Sequence, residues 1–270
     1  MHLHFLLSIA LVLPVAPLRA QTSVPTPTVA VRTSVAALVA RGDSARDRFE
    51  LEAALKAYDE ALAADSLDYT ANWRAALTLV DIGKRTPDSI RSPARDELFR
   101  RAEQLSRRAV AINPKGPDGL FLLANVIGRT ALTKSPKERV KVANEVYDYA
   151  TAALGVDHRH DGAYHVLGRW NAEIMRLSSV ERFFAKSFMG GRRFSLASWD
   201  EAEKYLQRAV ELNPTFIYHR LDLAQIYIDR HKYAQAREQL ERIPTLPRRD
   251  DSDPMYIRDA QNLLAQIKDK

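Results

Sequence analysis

Apolar and small residues recur along this chain at helical spacing, and they recur in register. Four Ala-rich stretches each run into a polar turn, and a small residue follows at one fixed distance inside the next apolar stretch. The pairs are Ser66 and Ala76, Pro114 and Ala124, His158 and Gly168, and Pro214 and Ala224. An Ala stands five residues before each first member: Ala61, Ala109, Ala153 and Ala209. Behind these lie Tyr58, Ser106, Ala150 and Leu206, and then Ala54, Ala102, Val146 and Ala202. The small residue follows Ala75, Leu123, Leu167 or Leu223, and Leu79, Ile127, Asn171 or Tyr227 stands three beyond it. A register kept across four junctions marks a repeat array. Antiparallel helices pack closely where Gly or Ala lets the backbones approach, while a large neighbour fills the gap beside the contact. One hairpin cannot bury its whole apolar face, so stacking supplies the core.

The spacing predicts helices over 29–41, with Gly42 ending the first and Asp43-Ser44 capping the second, which runs towards Ala64. It then pairs Tyr69–Lys84 with Asp96–Ile112, Asp118–Thr130 with Pro136–Leu154, Gly162–Leu177 with Ser198–Leu212, and Thr215–His231 with Tyr233–Ile243. Asp253 caps a final helix opened by Pro254, and Ile257, Ala260, Leu264 and Ile267 give it one apolar face to cover the last repeat. Extra length lies always between the two helices of a repeat. In the fourth repeat, Val180, Phe183, Phe184 and Phe188 form an apolar face that is expected to be buried, and Gly190-Gly191 turns the chain back.

The pattern resembles the tetratricopeptide repeat; the cleanest copy is Leu223-Ala224-Gln225-Ile226-Tyr227 followed by Ala236 and Leu240. A narrower resemblance is carried by His165-Val166-Leu167-Gly168-Arg169-Trp170, by Glu181-Arg182-Phe183-Phe184-Ala185-Lys186 with Gly190-Gly191, and by Ala209-Val210-Glu211-Leu212-Asn213-Pro214. These strings are similar to the regulator of microtubule dynamics family over about Ala102 to Lys270. The resemblance implies an all-α, solenoid-like helical-repeat domain that binds partners and is not an enzyme. It associates eukaryotic members with microtubules or membrane contact sites.

The N-terminus departs from that setting. Phe5 to Leu18 is an apolar run, and Leu18-Arg19-Ala20 before Gln21 resembles a signal-peptidase site. Fourteen residues of helix reach about 21 Å, short of the roughly 30 Å hydrocarbon core, which favours a cleaved signal over a retained anchor. The expected organisation is a signal peptide over 1–20, a Pro/Thr/Ser linker over 21–28 and a repeat domain over 29–270. No later stretch is apolar enough to span a membrane. Export would place the chain in the periplasm or outside the cell, out of reach of tubulin. The chain has no Cys, which excludes disulfides, thiolate metal sites and lipid attachment to Cys. With 46% apolar and 27% charged residues it is not a disordered chain.

Few residues of the chain suggest chemistry. His158, His160, Asp161 and His165 are the densest group of candidate ligands, but two fall in a turn and one inside a helix, so no metal or other cofactor is expected. No HExxH, GxSxG or phosphate-cradling loop is present, and the chain is expected not to be an enzyme. Asp200-Glu201 read as helix-start acids. Arg100, Arg101, Arg107 and Arg108 make a basic stripe without interleaved aromatics, which reads as a solvated face and not as a nucleic-acid site. A net charge of +6 is weak evidence about partners.

Function is then expected on the face formed by the first helix of each hairpin. Stepping back three and forward one from each small residue gives Trp73 and Leu77, Phe121 and Asn125, His165 and Arg169, and Leu221 and Gln225. Such a groove suits a protein or peptide partner. A lipid or other hydrophobic ligand is the alternative, favoured by a continuous apolar tunnel.

Overall fold

A computed structural model describes residues 33–87, 90–131, 136–178, 180–183 and 191–270. Thr33–Lys270 forms one compact unit. The expected signal peptide and linker, and Val29–Arg32 of the first expected helix, lie outside the described residues. The helices are α1 (Val35–Asp47), α2 (Leu51–Ala64), α3 (Tyr69–Lys84), α4 (Pro93–Ile112), α5 (Pro117–Thr130), α6 (Pro136–Val156), α7 (Asp161–Arg176), α8 (Trp199–Leu212), α9 (Ile217–Asp229), α10 (Tyr233–Arg242) and α11 (Asp253–Gln266). They pair as α1/α2, α3/α4, α5/α6, α7/α8 and α9/α10, and α11 packs on α9 and α10. No strand occurs among the described residues. The fold is the all-α helical-repeat solenoid expected from the spacing.

The turns between hairpins are built alike. Residues 65–68, 113–116, 157–160 and 213–216 each begin with Asp or Asn. The N–H of that residue donates to Ala61, Ala109, Ala153 or Ala209 at 2.9, 2.9, 2.8 and 3.0 Å. Those four Ala are fully buried. In the first three turns the Asp or Asn side chain also accepts the N–H two residues on, at 2.9, 3.2 and 2.8 Å. Each of these three turns is thus closed by its own side chain, a local device Asp and Asn favour. The repeated Ala marks where the helix must stop against its neighbour.

The small residues lie at the closest helix contacts. A Cβ added at Gly168 would lie 2.7 Å from Leu206 Cγ and 3.2 Å from the Ala202 carbonyl oxygen. Gly42 corrects the expected first hairpin. It does not end α1, which runs on to Asp47. It lies mid-helix, where a Cβ would lie 2.4 Å from Tyr58 Cε1. Gly42 precedes Ala54 by 12 residues, as Ala224 precedes Ala236, so it is the small residue of the first repeat. The turn that ends α1 places Phe49 at φ 59°, and His231 after α9 has φ 60°. Both close the turn with the same bonds: Glu50 N–H donates to Ala45, and Lys232 N–H to Tyr227. Asp253 does not cap α11. It is the first helical residue, and its carboxylate accepts the N–H groups of Arg249 and Asp250 at 2.7 and 2.8 Å.

The long connection inside the fourth hairpin is anchored by Phe194. Its side chain is buried and its ring lies 6.1 Å from that of Trp170, whose Nε1 donates to Ala143 of α6 at 2.7 Å. The expected burial of the insertion's apolar face is not found where it is described: Val180 is 64% and Phe183 61% exposed. Phe184 and Phe188 lie outside the described residues.

The two ends of the array meet. Lys84 of α3 contacts Asp250 at 3.2 Å, Arg85 contacts Asp251 at 2.8 Å, and the Arg248 guanidinium lies 4.1 Å over the Phe49 ring. Beneath this join, Asp81 pairs with Arg46 at 2.6 Å and with Lys84 at 2.8 Å. Burial opposes charge on Asp81, but Lys84 and Arg46 outweigh it and hold the carboxyl below its usual range. Burial likewise opposes the Lys84 ammonium, and Asp81 with its neighbours holds it above the usual lysine range.

Candidate functional site

The first helices α3, α5, α7 and α9 each set two of the eight expected residues one turn apart, and the surroundings of those residues differ along the array. Trp73 and Leu77 are partly buried against the core of α1–α5. The Arg74 guanidinium covers the Trp73 ring at 4.2 Å. Phe121 is partly buried and its ring lies 4.7 Å from that of His160. His160 caps α7, its Nδ1 accepting from the Ala163 N–H at 3.1 Å. Asn125 accepts from Arg129 at 3.3 Å. Leu221 is buried in the core of α8–α11. Gln225 donates to Asp229 at 3.1 Å. The structure brings Arg169 and Gln225 together around one cavity of about 310 Å³, with Ala172, Arg176, Leu206, Asp222 and Ile226.

His165 is buried, and its neighbours form a polar chain that the spacing did not reveal. Asp161 Oδ2 lies 2.9 Å from His219 Nε2 and also accepts from Asn213 at 2.9 Å. His219 Nδ1 lies 2.8 Å from His165 Nδ1. His165 Nε2 lies 3.1 Å from Asp222 Oδ2, which lies 3.5 Å from Arg169 Nε. Arg169 also donates to the Tyr218 hydroxyl and lies 3.9 Å from Glu173.

Burial pushes His165 down to about 4, so it is neutral near pH 7. His165 Nε2 meets Asp222 Oδ2 at 3.1 Å, and that contact favours the charged carboxylate. Burial alone would raise Asp222, but Arg169 and then His165 outweigh it and hold the carboxyl at about 2. Asp161 is held at about 2 as well, where bonds from His219 and Asn213 outweigh the burial that would raise it. The cavity therefore presents a fixed carboxylate beside two guanidiniums, over a small apolar floor of Ala172, Leu206 and Ile226. Sequence spacing found Arg169, but it did not find His219 or Asp222. Both stand on α9, beside the expected positions, and only the packing of α9 on α7 turns them towards His165.

Among the described residues, no three His, Asp or Glu side chains converge to hold a metal ion. No helix among the described residues is long and apolar enough to cross a membrane. Three of the four arginines of the basic stripe are taken up by acids. Arg100 pairs with Glu97, Arg101 with Asp59, and Arg107 with Glu103 and Glu145.

The fold is shared with solved structures. A thermophilic TPR protein from Thermus thermophilus superposes with a TM-score of 0.62 at 17% identity, over 85% of this chain and all of that one. PilF of Pseudomonas aeruginosa does so with a TM-score of 0.50 at 13% identity, over 86% of this chain and 91% of that one. No curated protein matches the chain. The model of one family, regulator of microtubule dynamics protein 1-3, matches residues 38–268. That span takes in every hairpin, the Gly168 contact, the His165 and His219 pair and the join of the two ends, and the chain belongs to the regulator of microtubule dynamics protein 1-3 family.

Proposed function

We propose that this chain is an exported helical-repeat scaffold that binds a protein or peptide partner on the face of its first helices and carries out no catalysis. The observation that carries this reading is the cavity edged by Arg169, Arg176, Asp222 and Gln225. Its rim offers charged and amide groups at the mouth and apolar side chains at the floor, the mixture that fixes an extended backbone or an amphipathic helix. A lipid carrier would instead need a continuous apolar tunnel. Export rests on the apolar run ending at Leu18-Arg19-Ala20.

Crosslinking and pull-down from the envelope of the native cell identifies the partner. Arg169→Ala then tests the site. Loss of binding with stability intact supports it. Loss of stability with affinity kept in the folded fraction assigns Arg169 to the scaffold, through Asp222 and Glu173. N-terminal sequencing tests export: the expected first residue is Gln21, and a retained Met1 in a cytoplasmic fraction overturns it. In that case the association with microtubules that the family name carries becomes the reading to test, by cosedimentation with tubulin.

A further inference from the structure

The join between the ends of the array is polar. The apolar core of α1–α5 contains no residue of 246–256. The core that takes in Leu246, Met255 and Tyr256 contains none of α1–α3. What crosses between them is charge: Lys84 to Asp250, Arg85 to Asp251, and Arg248 over Phe49. Contacts of this composition resemble those between separable domains more than those within a core. If the segment left, the carboxylates still paired with Arg46, Lys84 and Arg85 would be Asp81 and Glu52. The seat would then carry an excess positive charge beside an uncovered aromatic ring. The segment is also shaped from its own side. Asp253 accepts two of its N–H groups, and Ser252 N–H donates to Asp250 Oδ1 at 2.8 Å. It is held like a bound peptide, by ion pairs at one side and by its own turn at the other.

We propose that the seat formed by Arg46, Lys84, Arg85 and Phe49 docks an acidic segment of a partner protein, and that Asp250-Asp251 fills it in cis. The matching segment carries two adjacent carboxylates, with a cation two residues before them to lie on Phe49, as Arg248 does. This deepens the scaffold reading above and rests on it. A tethered segment competes with any free one, so the apparent affinity for a partner is reduced by the fraction of chains with the seat occupied. Salt weakens the cis contact and the trans contact alike.

The probe is a labelled peptide with the sequence of residues 245–257, titrated into the full chain by fluorescence anisotropy. Wild type is expected to bind it weakly. Asp250→Asn with Asp251→Asn frees the seat and is expected to bind it roughly tenfold tighter or better. Adding Lys84→Gln and Arg85→Gln should abolish that gain. No gain in the folded double variant overturns the proposal, and so does equal binding of a scrambled peptide. Should the double variant fail to fold, hydrogen exchange of wild type decides. Residues 246–252 are expected to exchange faster at high salt while α3 does not, and equal protection at both salts overturns it. If the seat fails while the crosslinked partner still binds the Lys84→Gln, Arg85→Gln chain, the scaffold reading stands without it.

Discussion

Lys84 and Asp250 stand 166 residues apart in sequence, and their side chains lie 3.2 Å apart. Lys84 is also bound to Asp81, so one ammonium ties the second repeat to the segment before the last helix. Asp81 carries the heavier share, because Arg46 and Lys84 both depend on it. Asp81→Ala is expected to destabilise the fold by about 3–5 kcal/mol, the cost of leaving buried cations uncompensated. Asp250→Asn should cost less, since Lys84 keeps Asp81. Chemical denaturation of the two variants checks the order.

Gly168 and Gly155 give opposite expectations for the same substitution. Gly168→Ala places a Cβ against Leu206 and the Ala202 carbonyl and should destabilise by about 1–3 kcal/mol, and Gly168→Leu by more. At Gly155 a Cβ meets nothing within 4 Å. Gly155→Ala in α6 should be neutral or stabilising by up to about 1 kcal/mol. Equal melting temperatures for the two Ala variants would refute the assigned register.

Acid should weaken the fold in two stages. His165 binds its proton in the unfolded chain near 6.5 but in the folded chain only near 4. Between these values the unfolded state holds more protons, so stability falls as pH falls, by at most about 1.4 kcal/mol per pH unit from this site. Asp161 and Asp222 are depressed from 3.8 to about 2, so their contribution is present above 3.8 and is lost as pH falls through 2. Denaturant midpoints measured from pH 7 to pH 2 should fall between about 6.5 and 4 and again between 3.8 and 2. His165→Gln should flatten the upper stage and shrink the lower one, since His165 helps hold Asp222 down.

Phe49 and His231 share a positive φ that side chains rarely adopt. His231→Gly should relieve that strain but also removes the contact of His231 Nδ1 with the Tyr233 hydroxyl at 2.8 Å, so its net gain should be at most about 1 kcal/mol. Phe49→Gly relieves it too but removes the ring beneath Arg248, so its gain should be smaller or absent. Thermal melts of both variants, alone and at high salt, separate the two effects.

The helices and their pairing were legible in the sequence because the contact positions are small and periodic. Ala54, Ala61, Ala102 and Ala109 are fully buried, as are Ala202, Ala209 and Ala236. Gly42 misled because one residue type serves both to end helices and to let them touch. Without a preceding junction, nothing upstream fixed which role applied. The site was less legible. Arg169 follows from the register, but His219 and Asp222 reach His165 through the packing of α9 on α7, which periodicity within one helix does not encode. The join of Lys84 with Asp250 was least legible, because it depends on how the rotation of each repeat accumulates along the array.

The turns between hairpins are all of one length, while the connections within hairpins vary from three residues at 48–50 to twenty-two at 177–198. The array thus has an edge that keeps its pitch and an edge that tolerates growth. Added length along the second edge leaves the helix spacing set at the first undisturbed. A reporter or affinity handle spliced into the long connections belongs on that tolerant edge. The same splice at 113–116 would break a turn on which the next hairpin's register depends.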